Sequence, residues 1–289
     1  MVGISSSLVG LAAFCWGVSG GLGALLIAGG WDAFVVSFYR GAIGLFFVLG
    51  WLAFNHRHAN LGSRRLWIWS AVAGLGVAGN FAFYFISIAE GRVAIAATLM
   101  YCAPVFVLLV SFALKLEKPT LGKLVALVII LLGILLLTQV YDLNASAVSL
   151  VGLVAGLLSG VSYALCIFAF KYASFYGSSA SSLSIALLVL LLVLFWPADK
   201  NQLVIALHSS YWVVFLGLGI LGGGLSFMIY ILGLRATAPA VAAMLAMVEP
   251  VTASLFGVWV LDESLATQQL IGMGMILLAV TGLSVTSSS

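Results

Sequence analysis

Few residues of this chain could do polar chemistry away from water, and Glu249 leads them. It stands about twelve residues into an apolar run, and Pro250 follows it. A carboxylate at that depth could hold a substrate ammonium or carry a proton. Pro250 cannot donate a hydrogen bond to the preceding turn, so a kink that turns carbonyls toward a cavity is expected there. Arg40 lies about 9 Å into another apolar run, at 1.5 Å per residue. It could receive a substrate carboxylate. It could equally pair with Glu249 and fix helix packing, or satisfy helix C-terminal carbonyls. The charges nearer run ends, Glu117, Asp262 and Glu263, are expected in water as loop or cap groups.

Around these two charges the sequence offers surfaces for a flat side chain. Pro104 and Pro250 occupy matched positions and are candidate hinges. Tyr101 and Met247 stand three residues before them, Thr98 and Met244 three before those. Spacing of three puts each pair on one helix face, rough and polarizable enough for a ring, although plain packing would use the same residues. Asn80 carries an amide in mid-run, with Tyr84 one turn later; a substrate or a neighbouring helix could partner that amide. Ser159 and Tyr163 share a face, as do Ser226 and Tyr230. Trp16 sits in mid-run and could complete an aromatic lining.

Other chemistry lacks its residues. His56, His58 and His208 fall in loops without partners at metal spacing, so no metal site is expected. Cys15, Cys102 and Cys166 lie in apolar runs, form no CxxC, and are expected as small buried hydrophobes. GLGVAG at 74–79 and GLGILG at 217–222 fit a dinucleotide fingerprint, but that pattern needs a strand before it and a helix after it. Both lie in or beside apolar runs, where glycines serve close helix packing, as do Gly17, Gly21, Gly152, Gly156, Gly160, Gly219 and Gly223. No Walker A sequence occurs, and no cofactor is expected.

The elements that must position these residues follow from composition. Of 289 residues 64% are hydrophobic and 7% charged, 11 basic against 8 acidic. A soluble domain carries roughly 25% charged residues, so a soluble enzyme, a disordered chain and a nucleic-acid binder are excluded. Ten apolar runs appear, near 8–28, 34–54, 67–88, 93–114, 121–140, 149–170, 179–197, 211–233, 238–260 and 267–286. Each is continuously apolar and about the length of a helical span. With a cytoplasmic N-terminus, Arg57, Arg64, Arg65, Lys115, Lys118, Lys123, Lys171 and Arg235 fall inside, against Arg92 and Lys200 outside, so both termini are expected to be cytoplasmic. The N-terminus has no basic n-region, and the first run is expected to be retained. Tryptophans other than Trp16 gather near run ends, where an indole prefers the headgroup level.

The chain also repeats itself. LVGL at 8–11 recurs at 150–153, and GVS at 17–19 recurs at 160–162. Ala94 through Pro104 to Glu117 matches Ala240 through Pro250 to Glu263 at a constant offset of 146. Five spans per copy force the copies into opposite orientations. The expected fold is an all-α membrane protein of ten transmembrane helices, built as two inverted five-helix repeats (8–140 and 149–286) around a central cavity. Inverted repeats mark secondary transporters, with the substrate near the midplane between the repeats.

The two five-helix copies, the paired prolines in each fourth helix, and the glutamates after it resemble the EamA-type unit of the drug/metabolite transporter superfamily. Within it the chain is similar to ten-helix bacterial exporters, the aromatic amino-acid exporters most of all. The resemblance implies a pair of bundles around a cavity alternately open to each side, in the bacterial inner (plasma) membrane. The expected function is export of small amphipathic metabolites, amino acids with aromatic or bulky side chains foremost. The expected partners are the small-molecule substrate and the lipid bilayer, with no nucleic acid, and the chain is expected to act as a monomer. An intramembrane enzyme is disfavoured, because no run contains a histidine and only one acid is central. A channel would need more polar residues than these runs offer. A phosphate-ester exchanger would need several buried cations, and an acid in the first helix, as in small multidrug antiporters, is missing.

Overall fold

A computed structural model describes residues 2–54, 59–90, 93–118, 120–142, 149–260, 262 and 264–286. Arg57, Arg92, His56 and His58, expected in loops, and Glu263 lie outside them. Among the described residues there are helices and no strands. They are α1 (Val2–Ala28), α2 (Ala33–Phe54), α3 (Arg64–Ala89), α4 (Val93–Met100), α5 (Ala103–Ala113), α6 (Leu121–Thr138), α7 (Leu150–Ala173), α8 (Ser179–Leu194), α9 (Lys200–Ala206), α10 (Trp212–Leu218), α11 (Ser226–Leu234), α12 (Pro239–Leu245), α13 (Val248–Val260) and α14 (Thr267–Thr286). A π-helical stretch, Gly219–Leu225, joins α10 to α11.

Each long apolar run becomes helix, because a helix pairs its backbone groups internally where no water can. Among the described residues eight helical stretches are long and apolar enough to cross a membrane, with α4–α5, α10–α11 and α12–α13 each read as one stretch; the apolar helices Ser179–Leu194 and Thr267–Leu283 are shorter. Helix starts follow local chemistry. Ser63, Thr120, Ser149 and Ser178 each accept from the backbone N–H three residues on, which satisfies one unpaired donor of the first turn.

The outer surface is apolar: Phe46, Phe54, Leu121, Leu150 and Leu278 all stand mostly exposed, as lipid-facing residues must. Trp51, Trp67, Trp196, Trp212 and Trp259 are exposed near helix ends, whereas Trp16 is buried. Small polar residues face inward and bind helices together. Ser70 Oγ donates to Ser182 Oγ at 3.1 Å, and Ser87 Oγ to the Gly152 carbonyl at 2.8 Å. Such bonds suit helix association in lipid, which has little hydrophobic drive.

The two halves interlock by exchange. In the first half α1 lies against α11, α12 and α13; in the second, α7 lies against α3, α4 and α5. Likewise α2 packs on the π-helical stretch, and α8 on α3. Two pairs cross the middle, α2 with α8 and α6 with α14.

Connections at the helix ends sort into two groups. At one end Asn60 Nδ2 donates to the Tyr176 carbonyl at 2.6 Å, Arg235 Nη2 to that of Gly177 at 2.7 Å, and Lys171 Nζ to those of Leu234, Arg235 and Thr237. At the other end the Asp32 amide donates to Gln202 Oε1 at 2.7 Å, Ser149 Oγ to Glu90 Oε2 at 2.9 Å, and Gln269 Nε2 to the Leu137 carbonyl at 3.0 Å.

Two expectations change. The segment after α8 holds a short helix, α9, that the sequence reading left as loop; Asp199 caps it by accepting from the Asn201 and Gln202 amides. Glu117 is not a solvated loop charge. Its side chain is 4% exposed, it pairs with Lys123 Nζ at 2.6 Å, and its Oε1 accepts the Ala240 amide at 2.9 Å. It thus caps α12 of the opposite half, where a carboxylate complements the unpaired N–H groups of a first turn. Asp262, by contrast, is exposed.

Candidate functional site

Two broken helices meet at the centre. Pro104 cannot donate to the Met100 carbonyl, nor Pro250 to that of Ala246. The helix opens just before each: α4 ends at Met100 and α5 begins at Ala103, and α12 ends at Leu245 while α13 begins at Val248. Each break is covered by a glycine from the other half. A Cβ placed on Gly17 would lie 2.6 Å from the Glu249 carbonyl oxygen, and one on Gly160 would lie 2.9 Å from that of Leu99. Only a residue without Cβ allows backbones this close.

Glu249 stands in the first turn of α13. There a carboxylate is favoured by the helix dipole. It is half-buried although Met244 to Met247 before it and Val251 after it are closed off. Its charge acts on Arg40, Tyr84, Tyr101, Tyr163 and Cys166, which come from α2, α3, the first break and α7.

Arg40 is held by its surroundings rather than by an acid. The structural alternative considered from sequence, an ion pair with Glu249, is not formed. The guanidinium lies over the Phe81 ring at 5.2 Å, a geometry that attracts a cation to a π face. The π-helical glycines make room for it. A Cβ on Gly222 would lie 2.7 Å from Arg40 Nε, and one on Gly223 would strike the Arg40 carbonyl.

The aromatic candidates divide. Tyr84 and Tyr101 are half-buried beside Glu249. Trp16 packs on Phe227 at 5.0 Å and on Tyr230 at 4.8 Å. Trp16 Nε1, Tyr163 Oη, Tyr230 Oη and Arg40 Nε are all buried without a hydrogen-bond partner in the protein. A stranded buried polar group costs about 1–3 kcal/mol, and most such groups in folded proteins find a partner. Four at one centre mark a place where something else supplies the bonds.

Other candidates are corrected. Asn80 and Ser159 satisfy each other: Asn80 Nδ2 donates to the Ser159 carbonyl and Oγ at 3.1 and 3.0 Å, and Ser159 Oγ donates to the Asn80 carbonyl at 3.0 Å. They clamp α3 to α7, so the neighbouring helix partners the NH2 group of the amide. Met244 and Met247 are fully enclosed in the core. Ser226 Oγ donates back to the Gly222 carbonyl. Thr98 Oγ1 meets Thr138 Oγ1 at 2.7 Å. The cysteines are free, with Cys15 and Cys166 buried and Cys102 half-buried. No metal-binding group of His, Cys, Asp or Glu occurs among the described residues.

The sequence reading missed Phe81, Phe227 and the π-helical stretch. The triplet Gly222–Gly224 was a signal for the last, because three glycines in an apolar run weaken regular helix. Both glycine-rich hexads lie in helical segments, not at a strand–helix junction.

Comparison with known proteins follows the same lines. The EamA-like transporter family matches residues 4–139 and 147–285. An "Uncharacterized transporter" of Archaeoglobus fulgidus is 30% identical over 209 residues, 69% of this chain and 70% of the relative. A solved crystal structure of a protein is similar with a TM-score of 0.74 at 18% identity, over 98% of both chains, which shows the fold. Two matches spanning almost the whole length leave one conclusion: the chain belongs to the EamA-like transporter family.

Proposed function

We propose that this transporter is a secondary carrier that exports small amphipathic metabolites, amino acids with aromatic or bulky side chains foremost, by alternating access. Ten spans form two five-helix repeats of opposite orientation, and the breaks before Pro104 and Pro250 act as hinges. The exchange packing of α1 and α7 supports this arrangement, because inverted repeats use such pairs to rock around a fixed site. The substrate's ammonium meets Glu249, and its side chain lies against Tyr84, Tyr101 and the neighbouring rings.

One observation carries the reading. Glu249 is an acid at a helix break between the halves, half-buried and without an ion pair to Arg40. A fixed structural pair would have consumed both charges; apart, they suit the two ends of a zwitterion. Both termini face the cytoplasm of a bacterial plasma membrane. The distribution of Arg64, Arg65, Lys115, Lys118, Lys123, Lys171 and Arg235 against Lys200 supports this orientation. A phosphate dianion fits less well, since Arg40 is the one arginine beside the site.

The test is exchange of labelled phenylalanine and a panel of amino acids in liposomes, with and without a pH gradient. Saturable exchange of aromatic or bulky amino acids is expected. Absence of exchange across the panel removes the amino-acid assignment.

A further inference from the structure

We infer that Trp16, Tyr163, Tyr230 and Arg40 form a carboxylate-binding pole, made of hydrogen-bond donors and adjoining the Glu249 pole that takes the cation. This rests on the reading of the chain as a carrier of amphipathic metabolites.

Trp16, Tyr163 and Tyr230 are 4%, 8% and 1% exposed, and the indole N–H, both phenol hydroxyls and the Arg40 Nε–H lack an acceptor in the protein. They reach the centre from α1, α7, α11 and α2. Trp16 and Tyr230 rings lie 4.8 Å apart. Tyr163 and Arg40 both feel the charge of Glu249, and beyond it Arg40 feels Tyr163 and Tyr163 feels Tyr230.

Packing alone does not select these side chains. Phenylalanine would fill the tyrosine positions without stranding a hydroxyl, as Phe227 does against Trp16 at 5.0 Å. What the four share is the ability to donate. An indole N–H and a guanidinium N–H can only donate, and a phenol can. A partner that satisfies all of them must be rich in acceptors and, beside a guanidinium, negatively charged. A carboxylate has two oxygens with about four lone-pair directions, and charge-assisted bonds are the stronger kind. Gly222 contributes by omission, since a Cβ there would lie 2.7 Å from Arg40 Nε and would strike Ser19 Oγ.

The test uses the full chain, purified and in liposomes, with four probes that share one ring: phenylalanine, its methyl ester, phenethylamine and 3-phenylpropionate. Binding is read by thermal shift and carriage by exchange. Phenylalanine and 3-phenylpropionate should bind at least ~10-fold more tightly than the ester and the amine, respectively. Trp16→Phe, Tyr163→Phe and Tyr230→Phe should each weaken phenylalanine binding by about 10-fold or more and draw the acid-to-ester ratio toward one. The two tyrosine variants should also raise the melting temperature of the ligand-free protein, because each removes a stranded hydroxyl; a structural role would lower it. Equal loss for acid and ester, an unchanged ratio, or no binding of either carboxylate overturns the pole. Binding of 3-phenylpropionate with the variant pattern, but no exchange of phenylalanine, overturns the amino-acid reading and leaves the pole standing.

Discussion

The two helix breaks use the same backbone device and differ in chemistry. Both open just ahead of a proline, and both are covered by a glycine of the other half, Gly160 over Leu99 and Gly17 over Glu249. The residue before the proline is Ala103 in the first break and Glu249 in the second. Ala103 is fully enclosed; Glu249 keeps accessible surface. Six and three residues before the prolines, Thr98 and Tyr101 stand where Met244 and Met247 stand in the other copy, and of these four Tyr101 alone keeps accessible surface. Duplication thus kept the joint in both halves, while the acid sits on one side and the accessible tyrosine on the other.

The sharpest way to break the comparison is to put the acid in the wrong copy. Ala103→Glu places an unpaired carboxylate in a closed site and should cost several kcal/mol, read as loss of folded protein in detergent. Normal folding would mean that the first break has the same room as the second. Next in size is Glu249→Gln, expected to slow amino-acid exchange by ~100-fold, which is about 2.7 kcal/mol, with the melting temperature kept. Glu263→Gln should have a much smaller effect. Equal exchange by both variants and the natural protein would take Glu249 out of the site.

The covering glycines give a finer test. A Cβ on Gly17 would strike Thr252 Cβ and lie 2.6 Å from the Glu249 carbonyl oxygen, against 2.9 Å at the tightest for Gly160. Overpacking costs about 1–3 kcal/mol, so Gly17→Ala should lower thermal stability more than Gly160→Ala. The reverse order would show the Gly160 seam to be the more rigid one. The smallest effect is expected at Glu117. Glu117→Gln loses the charge pairing with Lys123 but can still accept the Ala240 amide, so about 1 kcal/mol or less should be lost. A loss as large as that of Gly17→Ala would show that the charge of Glu117, and not only its acceptor oxygen, holds it to Lys123 and the Ala240 amide.

The helices were legible because their signals are local. Hydropathy places α2, α3, α6, α7, α8 and α14 within a few residues of their ends, whereas α1 begins at Val2, well ahead of the run near 8–28, and Ser63, Thr120, Ser149 and Ser178 mark helix starts by side chains that reach only their own first turn. The breaks were legible too, as the missing N–H of Pro104 and Pro250 acts within one turn. The partners were not. Asn80 reads as an amide in need of a bond, and it takes Ser159, 79 residues away. Glu117 reads as a loop charge, and it caps a helix 123 residues on. Pairing with Glu249 was one of three roles open to Arg40, and the structure sets its guanidinium over Phe81 and its Nε against Gly222, with no ion pair to the acid.

Composition and repeat thus determined that this chain crosses a membrane many times as two related halves, because the cost of polar atoms in hydrocarbon is set residue by residue. Tertiary structure alone decided which polar groups are used up by neighbouring helices and which are left for something else to bind. That outcome turns on distances of an ångström or two between helices far apart in the chain, and hydrogen bonds and close packing are steep functions of distance where hydropathy is not.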